Sequence, residues 1–108
     1  MRIDVLTLFP EMFQGVLGSS MLGRAAQGGI LEFHLHNIRD WSTNKHHNAD
    51  DYPFGGGAGM VMMAQPIWDC LDQVDPNHQA LRIALLPRGE PLGVPMAREL
   101  SKKEWLVL

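Results

Sequence analysis

Two carboxylates, Asp50 and Asp51, stand just before a run of glycines in the middle of the chain. Paired carboxylates can bind a metal ion, accept a proton, or accept hydrogen bonds from the N–H edge of a base such as guanine. Mg²⁺ could steady charge beside the pair, although the sequence supplies no octahedral set of oxygen ligands. A solvated cluster of loop charges is the plainer explanation, and spacing alone leaves both open.

The glycine run that follows is Gly55-Gly56-Gly57-Ala58-Gly59. It permits backbone conformations and close approaches that side chains would block. It is not a usual phosphate loop, because no Gly-Lys-Ser/Thr follows and the Gly-x-Gly-x-x-Gly spacing is not met. A flexible hinge and backbone-mediated recognition of a planar ligand therefore both remain open.

The segment around these residues, 37–59, mixes bases, acids and aromatic side chains. The basic residues are Arg39, Lys45, His46 and His47, and the aromatic ones are Trp41, Tyr52 and Phe54. Recognition of single-stranded RNA uses phosphate contacts, stacking and base-edge hydrogen bonds, which need these residue types. The composition of the segment thus favours RNA over an ordinary connection.

Three further residues could do chemistry but have simpler explanations. His34 and His36 share one face of a predicted strand, and no third ligand lies at a supporting spacing, which favours a solvated or hydrogen-bonded pair over a metal site. Cys70 is the only cysteine and falls on the apolar face of a predicted helix, so we expect a buried structural thiol. A single cysteine also excludes an internal disulfide and fits a reducing, cytoplasmic compartment.

The elements that position these residues alternate between strands and helices. Apolar runs and alternation predict strands at 2–9, 30–36, 81–86 and 105–108, with two short helices before residue 28, a helix at 65–74 and another from residue 95. This order predicts an α/β fold, a mostly parallel sheet with helices on both faces. Ligands of such sheets bind beyond the carboxyl ends of the strands.

Length and composition limit the function classes. The chain has 108 residues, 45% of them apolar and 19% charged, with a net charge of −3, which is typical of one globular domain and not of a basic nucleic-acid coat. No apolar run is long enough for a membrane span. The sequence stops within an apolar strand, so we expect residues 1–108 to be one partial domain, the N-terminal portion of a longer protein.

Several motifs together resemble the bacterial tRNA (guanine-N1)-methyltransferases. They are Leu8 to Phe13 (LFPEMF), Gly23-Arg24-Ala25, Arg39-Asp40, and Asp50-Asp51-x-Pro53-Phe54-Gly55-Gly56-Gly57-Ala58-Gly59-Met60 with Met62-Met63. The resemblance covers essentially the whole chain. It implies methyl transfer from S-adenosylmethionine to N1 of the guanosine 3′ to the tRNA anticodon, by a cytoplasmic homodimer with the knotted SPOUT-type fold, the knot itself being incomplete in this chain.

The resemblance also assigns site residues. S-adenosylmethionine would contact Ala84, Leu85, Leu86, Pro87 and Gly89. Asp50, Asp51 and the run from Gly55 to Gly59 would come from the partner subunit to hold the flipped guanine, and Arg24 would be available to RNA. The catalytic base is expected beyond Leu108.

The chain departs from the family pattern at four positions, where Ala58, Ala84, Leu86 and Arg88 replace a proline, an aromatic residue, a serine and a glutamine. Three of these substitutions fall in the expected cofactor loop, and the fourth falls in the glycine run. Two other functions fit the residues: a fragment that keeps only the RNA-facing loop, and a small nucleotide-binding α/β module.

Overall fold

A computed structural model describes all residues from 1 to 108. Its elements are β1 Arg2–Thr7, α1 Glu11–Leu17, α2 Ser20–Gln27, β2 Glu32–Asn37, β3 Asp50–Asp51, β4 Val61–Met62, α3 Ala64–Val74, β5 Leu81–Arg82, α4 Val94–Leu100 and β6 Trp105–Val107. One short 3-10 helix, Ile38–Trp41, follows β2. None of the helices combines the length and apolar character needed to span a membrane.

Four strands form a parallel sheet in the order β2-β1-β6-β5. β1 pairs with β2 from Arg2 opposite Glu32 to Thr7 opposite Asn37, and with β6 on its other side. Since every pair is parallel, the carboxyl ends of all four strands meet at one edge. The predicted α/β fold with a mostly parallel sheet is confirmed.

Apolar side chains are buried on both faces of the sheet. Leu6 and Val107 pack against Cys70 of α3. Val5 and Leu106 alternate to the opposite face and are also buried. The predicted burial of Cys70 is confirmed, and burial raises the pKa of its thiol to about 11 because a thiolate is poorly solvated there.

The α1 and α2 helices meet at a glycine. A Cβ added at Gly23 would lie 2.5 Å from the carbonyl oxygen of Gly18, so no larger residue fits without moving the backbone. Ser19 precedes α2, but its hydroxyl donates to the carbonyl of Gly15 and makes no capping hydrogen bond to the helix. The Gly23-Arg24-Ala25 motif thus has a packing reason at its first residue.

Asp4, in the middle of β1, is a fully buried carboxylate that the sequence did not single out. Its oxygens lie 2.7 Å from Nε of Arg2, from Nε2 of His36 on β2 and from Nε1 of Trp105 on β6. Burial alone would raise the pKa of Asp4, but these hydrogen bonds outweigh it and hold the pKa below its ordinary value of 3.8. One side chain therefore ties three strands together.

The two histidines of β2 each pair with a carboxylate. Nε2 of His34 lies 2.7 Å from Glu32, and His36 pairs with Asp4. The interpretation as hydrogen-bonded side chains is confirmed. The supporting carboxylate of His36 escaped the sequence reasoning because it lies 32 residues away, on the neighbouring strand.

The third predicted strand is shorter than expected. The sequence predicted 81–86, whereas β5 comprises only Leu81–Arg82. The N–H of Ile83 still donates to the carbonyl of Val107, and this is the last backbone hydrogen bond between the segment and β6. Residues 84–86 continue as a loop.

We expect replacement of Asp4 by asparagine to lower the free energy of unfolding by about 2 kcal/mol at neutral pH, because a neutral amide at this buried position cannot accept hydrogen bonds from Arg2, His36 and Trp105 together. The folded-state pKa is the lower one, so the contribution of Asp4 is complete above pH 3.8 and disappears as the pH falls through the folded-state value. Denaturant unfolding of the unsubstituted protein and of Asp4→Asn, from neutral pH to below pH 3.8, measures the difference in their free energies of unfolding. This difference should shrink in acid.

The matched control is Asp72→Asn, which changes an exposed carboxylate on α3. It should leave the stability at neutral pH almost unchanged. Equal losses from both substitutions, or a difference that grows in acid, would contradict the role given to Asp4.

Candidate functional site

The segment from 42 to 62, here called the connector, has a paired stem and an exposed tip. β3 and β4 pair antiparallel, with Asp50 opposite Met62 and Asp51 opposite Val61. Below them the N–H of Met63 donates to the carbonyl of buried Ala49 at 2.8 Å. The sequence placed Asp50 and Asp51 in a loop and did not predict this pair, which forms because the glycine-rich tip turns the chain back onto β3.

Gln65, at the start of α3, fastens the connector to the rest of the chain. Its amide nitrogen donates to the carbonyl of Trp41 at 2.7 Å, and its oxygen accepts from the N–H and hydroxyl of Thr43, each at 3.4 Å. Sequence reasoning saw in Gln65 only a helix start. Trp41 and Thr43 lie more than twenty residues away from Gln65, so no local pattern identifies this anchoring role.

The glycines at the tip (residues 52–60) are required by backbone conformation. Gly55 and Gly56 have φ of 86°, Gly57 has 115° and Gly59 has 90°, where residues with side chains are strained. A Cβ at any of them would meet no other atom within 4 Å, so crowding is not the cause. Ala58 lies exposed among them. Open space therefore surrounds this unusual backbone.

The two carboxylates of β3 differ in their surroundings. Asp50 is half-buried, whereas Asp51 is exposed and accepts a 2.7 Å hydrogen bond from the N–H of Tyr52. No group of three or more His, Cys, Asp or Glu side chains in the chain could hold a metal ion. Mg²⁺ beside the pair stays a prediction.

Arg24 lies apart from these residues. It is exposed on α2, and its side chain makes no hydrogen bond or ion pair. Arg39, at the foot of the connector, instead lies over the ring of Phe9, 5.8 Å from its centroid. The structure thus leaves Arg24 free for a partner but does not bring it to the connector.

An open cleft of about 480 Å³ lies at the carboxyl edge of the sheet. Its lining includes Leu6 from β1, Met62 from β4, Trp68 from α3, and Ala84, Leu85 and Leu86 after β5. Arg82 is the only charged residue of the lining, and its guanidinium is paired with Asp75 at 2.8 Å. The cleft is therefore an apolar slot of the size that small-molecule ligands occupy.

The predicted cofactor residues divide between this cleft and the turn beyond it. Ala84, Leu85 and Leu86 line the cleft, whereas Pro87 and Gly89 do not. Gly89 closes a turn by donating its N–H to the carbonyl of Leu86 at 2.9 Å. The backbone groups of Ala84 and Leu85 make no backbone hydrogen bond, so they are available to a ligand.

A second cleft, of about 660 Å³, lies at the opposite edge of the sheet, between the segments 79–81 and 102–105. It contains side chains of both charge signs, Lys102, Lys103 and Glu104. Because parallel sheets bind ligands at the carboxyl ends of their strands, the first cleft is the better candidate.

Comparison with known proteins gives consistent matches along the whole chain. Residues 1–108 match the family model described as tRNA (Guanine-1)-methyltransferase TrmD. Among curated relatives, the tRNA (guanine-N(1)-)-methyltransferase of Enterococcus faecalis is 51% identical over 99% of this chain and 45% of its own length. The Moorella thermoacetica protein of the same name is 50% identical over 100% of this chain and 44% of its own.

A solved structure matches as well. The crystal structure of tRNA (m1G37) methyltransferase from Aquifex aeolicus superposes with a TM-score of 0.87 and 30% identity, over 99% of this chain and 49% of that one. The chain thus spans about half the length of the relatives that it matches.

Removing the amide of Gln65 should loosen the connector. Gln65→Ala removes the hydrogen bonds to Trp41 and Thr43, worth about 1 kcal/mol, so the N–H of Met63 should exchange with solvent about fivefold faster. Amide exchange followed by NMR measures this rate. Gln73→Ala, an exposed change on the same helix, is the control and should leave it unaltered. Equal rates in both variants would refute the anchoring role.

Proposed function

Because the chain belongs to the tRNA (guanine-1)-methyltransferase family, we propose that it serves in methyl transfer from S-adenosylmethionine to N1 of the guanosine 3′ to the tRNA anticodon. The proposal rests on one observation, which is that the connector and the loop after β5 line the same cleft. Met62 of the connector and Ala84, Leu85 and Leu86 line one apolar slot, so the connector and the loop after β5 meet at one edge of the sheet.

The lining of the cleft suits a cofactor with an apolar body and a few polar edges. Apolar side chains such as Leu6 and Trp68 would contact an adenosine ring, and the free backbone groups of Ala84 and Leu85 would hydrogen-bond its edge. Bound there, S-adenosylmethionine would supply an electrophilic methyl group on a sulfonium. No cationic side chain in the slot opposes that positive charge except Arg82, which Asp75 neutralises.

The connector is the element that we assign to the target base. Guanine N1 carries a proton at neutral pH, so a base must remove it as the methyl group arrives. Asp50 would accept hydrogen bonds from the guanine edge, and the open backbone from Gly55 to Gly59 would let the extruded base lie close. We assign to Asp50 the orientation of the guanine and not the removal of its proton, since the general base is expected from residues beyond Leu108.

We further propose that the protein works as a cytoplasmic homodimer. The connector tip packs against no other part of its own chain, because its residues are exposed from Phe54 to Met60. Large apolar side chains are exposed on α1 and α2 as well, among them Met12, Val16 and Met21. Surfaces of this kind mark association sites, and a second subunit would place each tip across the neighbouring cleft.

The cofactor assignment predicts that the chain binds S-adenosylmethionine and that Leu86→Lys abolishes this binding, because a lysine would add bulk and positive charge to the slot. Isothermal titration calorimetry measures both. Leu92→Lys is the matched control, since Leu92 is 71% exposed, Leu86 is 66% exposed, and Leu92 lies outside the cleft. Absence of heat with the unsubstituted protein would favour a fragment without a pocket, and stabilisation by ATP or GTP would favour the nucleotide-binding module.

The substrate assignment predicts that Asp50→Ala weakens binding of an RNA hairpin with a loop guanosine by about tenfold, because a hydrogen bond to a carboxylate is worth roughly 1.5–3 kcal/mol. Fluorescence anisotropy with guanosine or adenosine at that position measures it. Asp50→Ala should bind both hairpins equally, whereas Asp72→Ala should keep the preference. An undiminished preference in Asp50→Ala would remove Asp50 from the site.

A further inference from the structure

The tip of the connector carries two aromatic side chains that no other part of the chain covers. Phe54 is fully exposed and Tyr52 is 80% exposed. An aromatic ring left in water forgoes the burial that makes such residues favourable in a fold. Neither ring contributes to the apolar cleft. Their position is therefore unexplained by the packing of this chain.

The backbone holds Phe54 at the corner of a tight turn. The N–H of Gly56 donates to the carbonyl of Pro53 at 3.1 Å, and Gly55, third in the turn, has φ of 86°. These features are those of a type II turn, in which the third residue needs a positive φ and the second lies at the outer corner. The glycine thus fixes the backbone that displays the ring.

The negative charges at the foot of the tip limit which ligands the two aromatic rings can bind. Asp50 and Asp51 lie at its foot, and no lysine or arginine occurs between residues 46 and 81. RNA phosphates would be repelled by these carboxylates, and the tip itself carries no lysine or arginine to neutralise them. A nucleobase is neutral and planar, and any of the four bases can stack on an aromatic face. The tip suits bases and not the backbone of a nucleic acid.

We propose that Phe54 and Tyr52 stack on unpaired RNA bases beside the guanine that the connector holds. This inference rests on the proposed function, because it names how the substrate RNA is gripped. Open space around Gly55, Gly56 and Gly57 leaves room for a neighbouring base against the same turn. The rings would supply affinity for an unpaired loop, while Asp50 would supply the preference for guanine.

The test is binding of a labelled RNA hairpin, measured by anisotropy over a range of salt concentrations. Phe54→Ala should weaken binding about tenfold, as expected for loss of one base–aromatic stack. The slope of log affinity against log salt should stay unchanged, because no phosphate contact is lost. Phe54→Trp should retain affinity, and Phe54→Leu, which is apolar but has no aromatic face, should lose it.

Two controls isolate stacking from other effects. A hairpin with abasic sites flanking the guanosine should bind the unsubstituted protein and Phe54→Ala equally well. Leu92→Ala removes an exposed apolar side chain that lies outside the cleft and should leave RNA binding unaltered. Thermal unfolding of each variant should match the unsubstituted protein, since Phe54 contributes nothing to the core.

Several results would overturn the inference. One is equal affinity of Phe54→Ala and the unsubstituted protein; another is a salt slope that changes with the ring. A third is a loss of self-association in Phe54→Ala, seen by sedimentation, with RNA binding intact, which would make a second copy the occupant. Failure of the proposed function gives a different pattern: S-adenosylmethionine would not bind, while the hairpin still distinguished Phe54→Ala from Phe54→Trp.

Discussion

The parallel pairing of β1 with β2 and β6 sets the position of every other part of the candidate site. The buried carboxylate of Asp4 joins these strands through Arg2, His36 and Trp105. Stacking of the Arg2 guanidinium over Trp105, 4.6 Å from the ring centroid, adds to the same cluster. With the strands so aligned, the connector and the loop after β5 both leave the sheet at its carboxyl edge.

Two chemically different surfaces meet at that edge. The cleft is apolar, with free backbone groups at Ala84 and Leu85, and is suited to a small planar cofactor. The connector tip is aromatic, with the carboxylates of Asp50 and Asp51 at its foot, and its glycines lie in open space, which suits an extruded base and its neighbours. Met62 belongs to the stem of the connector and also lines the cleft, so the stem borders the cleft of its own chain. Methyl transfer requires a donor pocket beside an acceptor site, and in the homodimer that we propose the tip that faces each cleft comes from the second subunit.

Local sequence patterns predicted those features that depend on neighbouring residues. The alternation of strands with helices predicted the parallel sheet, and the helical spacing of apolar residues predicted the burial of Cys70. The glycine run indicated unusual backbone conformations. Features that depend on distant residues escaped. The partners of Asp4 lie 32 and 101 residues away, and those of Gln65 more than 20. The apolar run of residues 81–86 predicted a longer strand than β5, because hydrophobicity does not show which residues find a hydrogen-bonding neighbour.

The central claim is that the carboxyl edge of the sheet, and not its opposite edge, holds the methyl donor. Amide hydrogen exchange followed by mass spectrometry, with and without S-adenosylmethionine, tests it most directly because both edges are read in one experiment. If S-adenosylmethionine binds at the carboxyl edge, its presence should slow amide exchange in residues 83–89 and cause no change in 79–81 or 102–105. Protection confined to 79–81 and 102–105, or no protection in any segment, would contradict it.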